Sequence, residues 1–198
     1  MKDKKKIIKE ISSWIILLVF TVLFSALLSS QVFAMTTIEE SSMQNTLYAK
    51  QKVVLNRLAY KKKTPEHGDI IIFYKNREIG SFGQEFIKSL KNLFNKPKDE
   101  EKDRLVKRVI GIPGDTIDIK DGVVYLNGNP LDEPYAKGIT YDYGAILPVT
   151  LEDNQLFVLG DNREVSEDSR DFGPINLSHV EGKVTLRTFP LDKFGKID

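Results

Sequence analysis

The chain has 198 residues, a net charge of +1 and no cysteine. Disulfides, thiol nucleophiles and thiolate metal sites are thereby excluded, and the balance of 29 basic against 28 acidic side chains leaves no overall field to recruit nucleic acid. Histidine occurs only at His67 and His179, too few for a histidine-rich zinc site, so no metal or cofactor is expected, although carboxylate ligation of calcium or magnesium stays open.

The length suits a membrane anchor followed by one core-bearing domain. Residues 1–10 carry five lysines, and after Glu10 no charged side chain appears until Glu39. As a helix rising 1.5 Å per residue, residues 11–34 would span roughly 36 Å, enough for a hydrocarbon core of about 30 Å. The expectation is a single-pass anchor in the lipid bilayer, with residues 1–10 cytoplasmic by the positive-inside rule and residues 35–198 forming an extracytoplasmic domain. Val32-Phe33-Ala34 is also a small-x-small site, which leaves a cleaved secretory signal as the alternative, or a site of self-cleavage after Ala34. The apolar stretch exceeds the ~7–15 residues of a usual signal core, which favours the anchor.

From Lys52 onward, β-rich runs alternate with turn signals: KVVLNRL, DIIIFYK, RLVKRVIGI, TIDIKDGVVYLNGNPL, QLFVLG and GKVTLRTF. This is a mainly β pattern. Asp121-Gly122, between Thr116–Lys120 and Val123–Leu126, predicts a tight hairpin; Asn127-Gly128 predicts a second turn, and Ile112-Pro113-Gly114-Asp115 a third. Residues 80–104 break the pattern, because Phe82, Phe86, Leu90 and Phe94 recur at four-residue spacing. An amphipathic helix is expected there, packed on its own domain or lying in the headgroup layer, with a charged mobile loop from Asn95 to Asp103.

Without cysteine, a nucleophile has to be an oxygen. The histidines lie in a turn, PEHGD, and a polar run, NLSHVEG, and read as surface residues. A lysine can replace histidine as the base when burial lowers its pKa and leaves a neutral amine. Lys107, in Leu105-Val106-Lys107-Arg108-Val109, would share a strand face with Leu105 and Val109; the other reading is an edge strand with both cations solvated. Ser42, in EESSMQNTL, is the nucleophile candidate if that stretch is not simply linker. Residues 160–173, GDNREVSEDSRDFG, put seven charged side chains among fourteen directly after the apolar run Leu156–Leu159.

Together these stretches resemble the bacterial type I signal peptidases, serine/lysine proteases that remove signal peptides from exported preproteins. Ser42-Met43-Gln44-Asn45-Thr46-Leu47 is similar to that family's S-M-x-P-T-L box, Gly68–Ile71 to its G-D-[IV]-[IV] strand, Lys107–Asp115 to its K-R-V-[IV]-[GA]-x-[PA]-G-D box, and residues 160–173 to its G-D-N-x-x-x-S-x-D-S-R-x-[FWY]-G box. The resemblance implies Ser42 as nucleophile, Lys107 as general base and Ser166 as the hydroxyl that orients the amine. It implies a supporting shell of Arg108, Asp161, Asp168 and Arg170, with Arg108 paired to Asp161, and substrate contacts at Met43 and Thr46. The implied fold is a β domain with a substrate groove, acting as a monomer on secretory preproteins with small residues before the cut. Two positions depart from the pattern. Asn45 replaces the proline that would stiffen the turn after the nucleophile. Glu40 stands where some members place an oxyanion-binding serine, and a carboxylate cannot donate, leaving more to the Ser42 N–H. A non-catalytic relative that positions a secreted, pilin-like partner is the alternative function. A self-cleaving repressor-type protein would carry a DNA-binding segment in place of the anchor.

Overall fold

The computed structural model describes residues 2–92 and 103–197. The chain divides into two units, residues 1–33 with 80–97, and residues 34–79 with 98–198.

The first unit is built from α1 (Lys2–Gln31) and α2 (Phe82–Asn92), which lie against each other. Residues 4–28 of α1 are long and apolar enough to cross a membrane, and most of their side chains face outward. Such a surface suits lipid, because a helix satisfies its own backbone hydrogen bonds. The expected amphipathic helix is present as α2; Phe94 and most of the expected mobile loop lie outside the described residues.

The second unit holds β1 (Phe33–Thr37), β2 (Lys52–Asn56), β3 (Ile70–Tyr74), β4 (Arg104–Gly111), β5 (Thr116–Lys120), β6 (Val123–Leu126), β7 (Asn129–Pro130), β8 (Val149–Thr150) and β9 (Gln155–Leu159). A short helix α3 (Ser169–Phe172) follows, then β10 (Ile175–Asn176), β11 (Val180–Phe189) and β12 (Gly195–Lys196). The main sheet is curled, in the order β1-β2-β11-β3-β4-β9-β10 with β12 on β11; a second sheet runs β7-β6-β5-β8. This is the mainly β fold expected. The carboxyl boundary differs from expectation: α1 ends at Gln31, and Phe33 and Ala34 already belong to β1, whose place beside β2 satisfies their backbone in the sheet.

The turn chemistry follows the residues. Asp121 and Gly122 have φ of 51° and 81°, the double positive φ of a type I′ hairpin between β5 and β6, and Asn127 and Gly128 repeat it at 51° and 80° before β7. β3 is buried along its whole length, with Ile70 and Ile72 in one core cluster and Ile71 and Phe73 in another. A third cluster, with Ile117, Val124, Phe157 and Leu159 among its members, joins the two sheets. This double-sided burial fixes the register that sets Lys107 opposite Ile71 and Arg108 opposite Ile70 and Leu159.

Candidate active site

The segment after β1 is held by backbone bonds between Ile38 and Gln51 and from Lys50 back to Ile38, then turns tightly through residues 41–46. Met43 and Leu47, both fully buried in the first core cluster, pin that turn, so the Ser42 between β1 and the core is only 4% exposed. From β4, Lys107 reaches the same point. Its side chain is 1% exposed and Nζ donates to Ser42 Oγ at 3.0 Å.

Burial is the largest influence on the Lys107 amine and pushes its pKa below the ordinary lysine value. The negative charges of Asp168, Glu40 and Glu167 oppose that shift, and Arg170 adds to it. A buried amine with a lowered pKa, in hydrogen-bond contact with a hydroxyl, is a base and nucleophile pair by its chemistry.

The polar run 160–173 wraps this pair. Gly160 leads it, and a Cβ there would fall 2.1 Å from Ser166 Oγ and 2.6 Å from the Ser42 carbonyl oxygen, so only glycine lets the run approach so closely. Asn162 then donates its backbone N–H to Ser42 O at 2.9 Å and its side-chain amide to Ser41 O at 3.2 Å. Asp161 takes the Arg108 fork, Nε to Oδ1 and Nη2 to Oδ2, each at 2.9 Å, and also accepts from the Thr46 hydroxyl. Arg108 further donates to Gly68 O at 2.9 Å and stacks on Tyr135. Asp168, with no exposed surface, accepts from the Gly160 N–H, caps α3 at Arg170 N and binds the Arg170 guanidinium at 2.8 and 2.9 Å.

Ser166 is buried beside Gly160, and its Oγ has no hydrogen-bond partner among the described residues. Met43 and Thr46 were expected to meet substrate. Met43 lies wholly in the core, and the Thr46 hydroxyl is engaged by Asp161 and Arg108, because the turn must be fastened from beneath to hold Ser42. Both face the scaffold. Of the histidines, His67 is exposed and its Nε2 lies 2.6 Å from Asp115 Oδ2, in a contact that ties two loops together. Among the described residues no three His, Asp or Glu side chains converge as metal ligands would.

Sequence reasoning missed a second buried arginine. Arg163 has no exposed surface and binds Glu133 with two guanidinium nitrogens at 2.8 and 2.6 Å, the Thr140 hydroxyl at 2.6 Å and Gly160 O at 3.0 Å. It fastens the loop after β7 to the polar run, and the Lys137 backbone adds bonds to Asp161 and Arg163. Position 163 falls at a variable place in the motif, and Glu133 lies 30 residues away in an unremarkable loop, so only its charge inside a dense polar run could have signalled it.

A family model described as signal peptidase, peptidase S26, matches residues 11–189. Signal peptidase IB of Staphylococcus aureus (strain COL) is 31% identical, over 94% of this chain and 93% of that protein. The probable signal peptidase I-2 of a Synechocystis species is 33% identical over 80% of this chain and 64% of its own length. Among solved structures, a signal peptidase I from Enterococcus faecalis V583 is similar with a TM-score of 0.43 and 29% identity, covering 62% of this chain and 98% of that one. The matched segment runs from the apolar helix through β11 and takes in Ser42, Lys107 and the whole polar run, and the chain belongs to the signal peptidase family, peptidase S26.

Proposed function

We propose that this chain is a membrane-anchored serine endopeptidase that removes signal peptides from exported preproteins, with Ser42 as nucleophile and Lys107 as general base. The observation that carries the reading is the 3.0 Å contact between two buried side chains, one of them an amine whose pKa burial lowers. In its neutral form Lys107 takes the Ser42 proton as Oγ attacks the scissile carbonyl. The carbonyl oxygen gains the charge, and the Ser42 N–H, unused by any acceptor among the described residues, is available to stabilise it. Lys107 then returns its proton to the leaving amine, an acyl ester forms on Ser42, and a water deprotonated by the same amine hydrolyses it.

The lysines at the start of α1 orient the helix with its amino terminus in the cytoplasm, which puts the β domain on the export side. Ser166 adjusts the amine from its buried place beside Gly160, and Arg108, Asp161, Asp168 and Arg170 hold the surrounding run. The test is preprotein cleavage by the full chain in detergent micelles, followed from about pH 6 to 10. Wild type is expected to cut after a small residue, with activity rising with pH; Ser42→Ala and Lys107→Ala are each expected to lose at least about 10⁴-fold in kcat. Retained activity in Lys107→Ala removes the mechanism.

A further inference from the structure

Three carboxylates act on the Lys107 amine, and two of them are balanced by a cation. Asp168 is bound by Arg170 through two short bonds, and Glu167 by Lys75. Glu40 has neither an ion pair nor a hydrogen bond from its side chain among the described residues. It is exposed, as is its neighbour Glu39, whereas Ser42 and Lys107 are buried. Two residues of chain span at most about 7 Å, so the Glu40 backbone stays within about 7 Å of the Ser42 backbone. The exposed carboxylates of Glu39 and Glu40 therefore leave uncompensated negative charge close in sequence to the nucleophile.

We propose that Glu40 is a specificity residue that selects substrates carrying a lysine or arginine adjacent to the scissile bond and disfavours those with an acidic residue there. This rests on the peptidase reading above. A substrate cation near Glu40 gains an ion pair with a carboxylate left unpaired among the described residues, so the benefit is expressed in binding. An acidic side chain at the same place meets two like charges in sequence, Glu39 and Glu40. Of the carboxylates whose charge acts on the amine, Asp168 is paired with Arg170 and Glu167 with Lys75, so Glu40 is the one that a bound substrate can neutralise without breaking a pair the protein already has.

The experiment uses the full chain in detergent micelles and one preprotein peptide in three versions, with Lys, Ala or Asp next to the small residue at the cut, tested first on its amino side and then on its carboxyl side. For wild type, kcat/KM for the Lys peptide is expected to exceed that for the Asp peptide by about five-fold or more on at least one side, the range of an exposed ion pair together with the matching repulsion. Glu40→Gln should erase the ratio and Glu40→Lys should invert it, while the Ala peptide serves as the reference within each variant. The preference should also shrink as salt is raised. Equal ratios in wild type and Glu40→Gln on both sides overturn the assignment while leaving the peptidase reading intact. A wild type that cuts none of the peptides removes that reading and the role of Glu40 with it.

Discussion

Arg108 grips Asp161 through two parallel hydrogen bonds of 2.9 Å, with 4% and 0% of the two side chains exposed. The residue beside the proposed base is thus the one that fastens β4 to the loop carrying Gly160 and Asn162. Removing one partner leaves a charge buried without compensation, which costs about 3–5 kcal/mol. Asp161→Ala should lower the urea midpoint accordingly. Arg108→Met combined with Asp161→Ala should cost less than the sum of the single changes, because no lone charge remains. Additive losses would mean that the pair contributes little beyond its separate contacts.

The buried amine carries a second consequence, for stability. With its folded pKa below the ordinary 10.5, the unfolded chain binds more protons at this group than the folded chain at any pH between the two values. Stability from Lys107 therefore rises with pH across that window, and at neutral pH the lysine is a net cost. Lys107→Met should melt higher than wild type at pH 7, with the gap closing as pH approaches about 10.5, while activity is lost at every pH. A lower melting point for Lys107→Met at pH 7 would count against burial of this amine being a cost to the fold.

At the acid end Glu181 is one contributor. Burial disfavours its ionised form, but the charges of Arg104 and Arg57 and their hydrogen bonds outweigh that and hold its pKa below the usual 4.5. Its contribution is complete above that value and is lost as pH falls through the folded one. Asp115 behaves alike: burial is again the largest influence and opposes ionisation, and the Ile112 N–H, Asn127 and His67 together overcome it. Wild type should lose stability below about pH 4.5, and Glu181→Gln should be destabilised by about 3–5 kcal/mol at pH 7 with a shallower acid limb. Thermal melts from neutral to acid pH measure both.

The parts of this molecule that were readable in the sequence are those whose cause is local. Asp121-Gly122 and Asn127-Gly128 announce their turns because few residues accept positive φ at consecutive positions. The clustered residues around Ser42, Lys107 and Ser166 could be placed by their motifs. What escaped is set by partners distant in sequence. Phe33 and Ala34 look like the end of an apolar helix until β2 pairs with the strand they start. The two-residue strands β8 and β10 exist only through their pairing with β5 and β9. Met43 reads as a residue beside a nucleophile, yet the core of β2, β3 and β11 takes it. The Arg163–Glu133 pair joins two loops with no shared local signal.

Gly160 shows how little slack the site has. An added Cβ would sit 2.1 Å from Ser166 Oγ, 2.5 Å from Ser166 Cβ and 2.6 Å from the Ser42 carbonyl oxygen. None of the three can yield freely: Ser166 is buried, and Ser42 O is held by the Asn162 N–H at 2.9 Å while the Gly160 N–H is held by Asp168 at 3.0 Å. Relief has to come from moving either Ser166 or the nucleophile's own backbone. Overpacking of this kind costs about 1–3 kcal/mol, and a displacement near 1 Å at a reacting centre costs about 10²-fold in rate. Gly160→Ala should therefore show a modest drop in melting point and a disproportionate loss of kcat. Combining it with Ser166→Gly removes two of the three clashes and should recover part of the stability, whereas activity should stay low because the clash with Ser42 O persists and the Ser166 hydroxyl is gone. Recovery of full activity in the double variant would count against both the clash with Ser42 O and the role of the Ser166 hydroxyl.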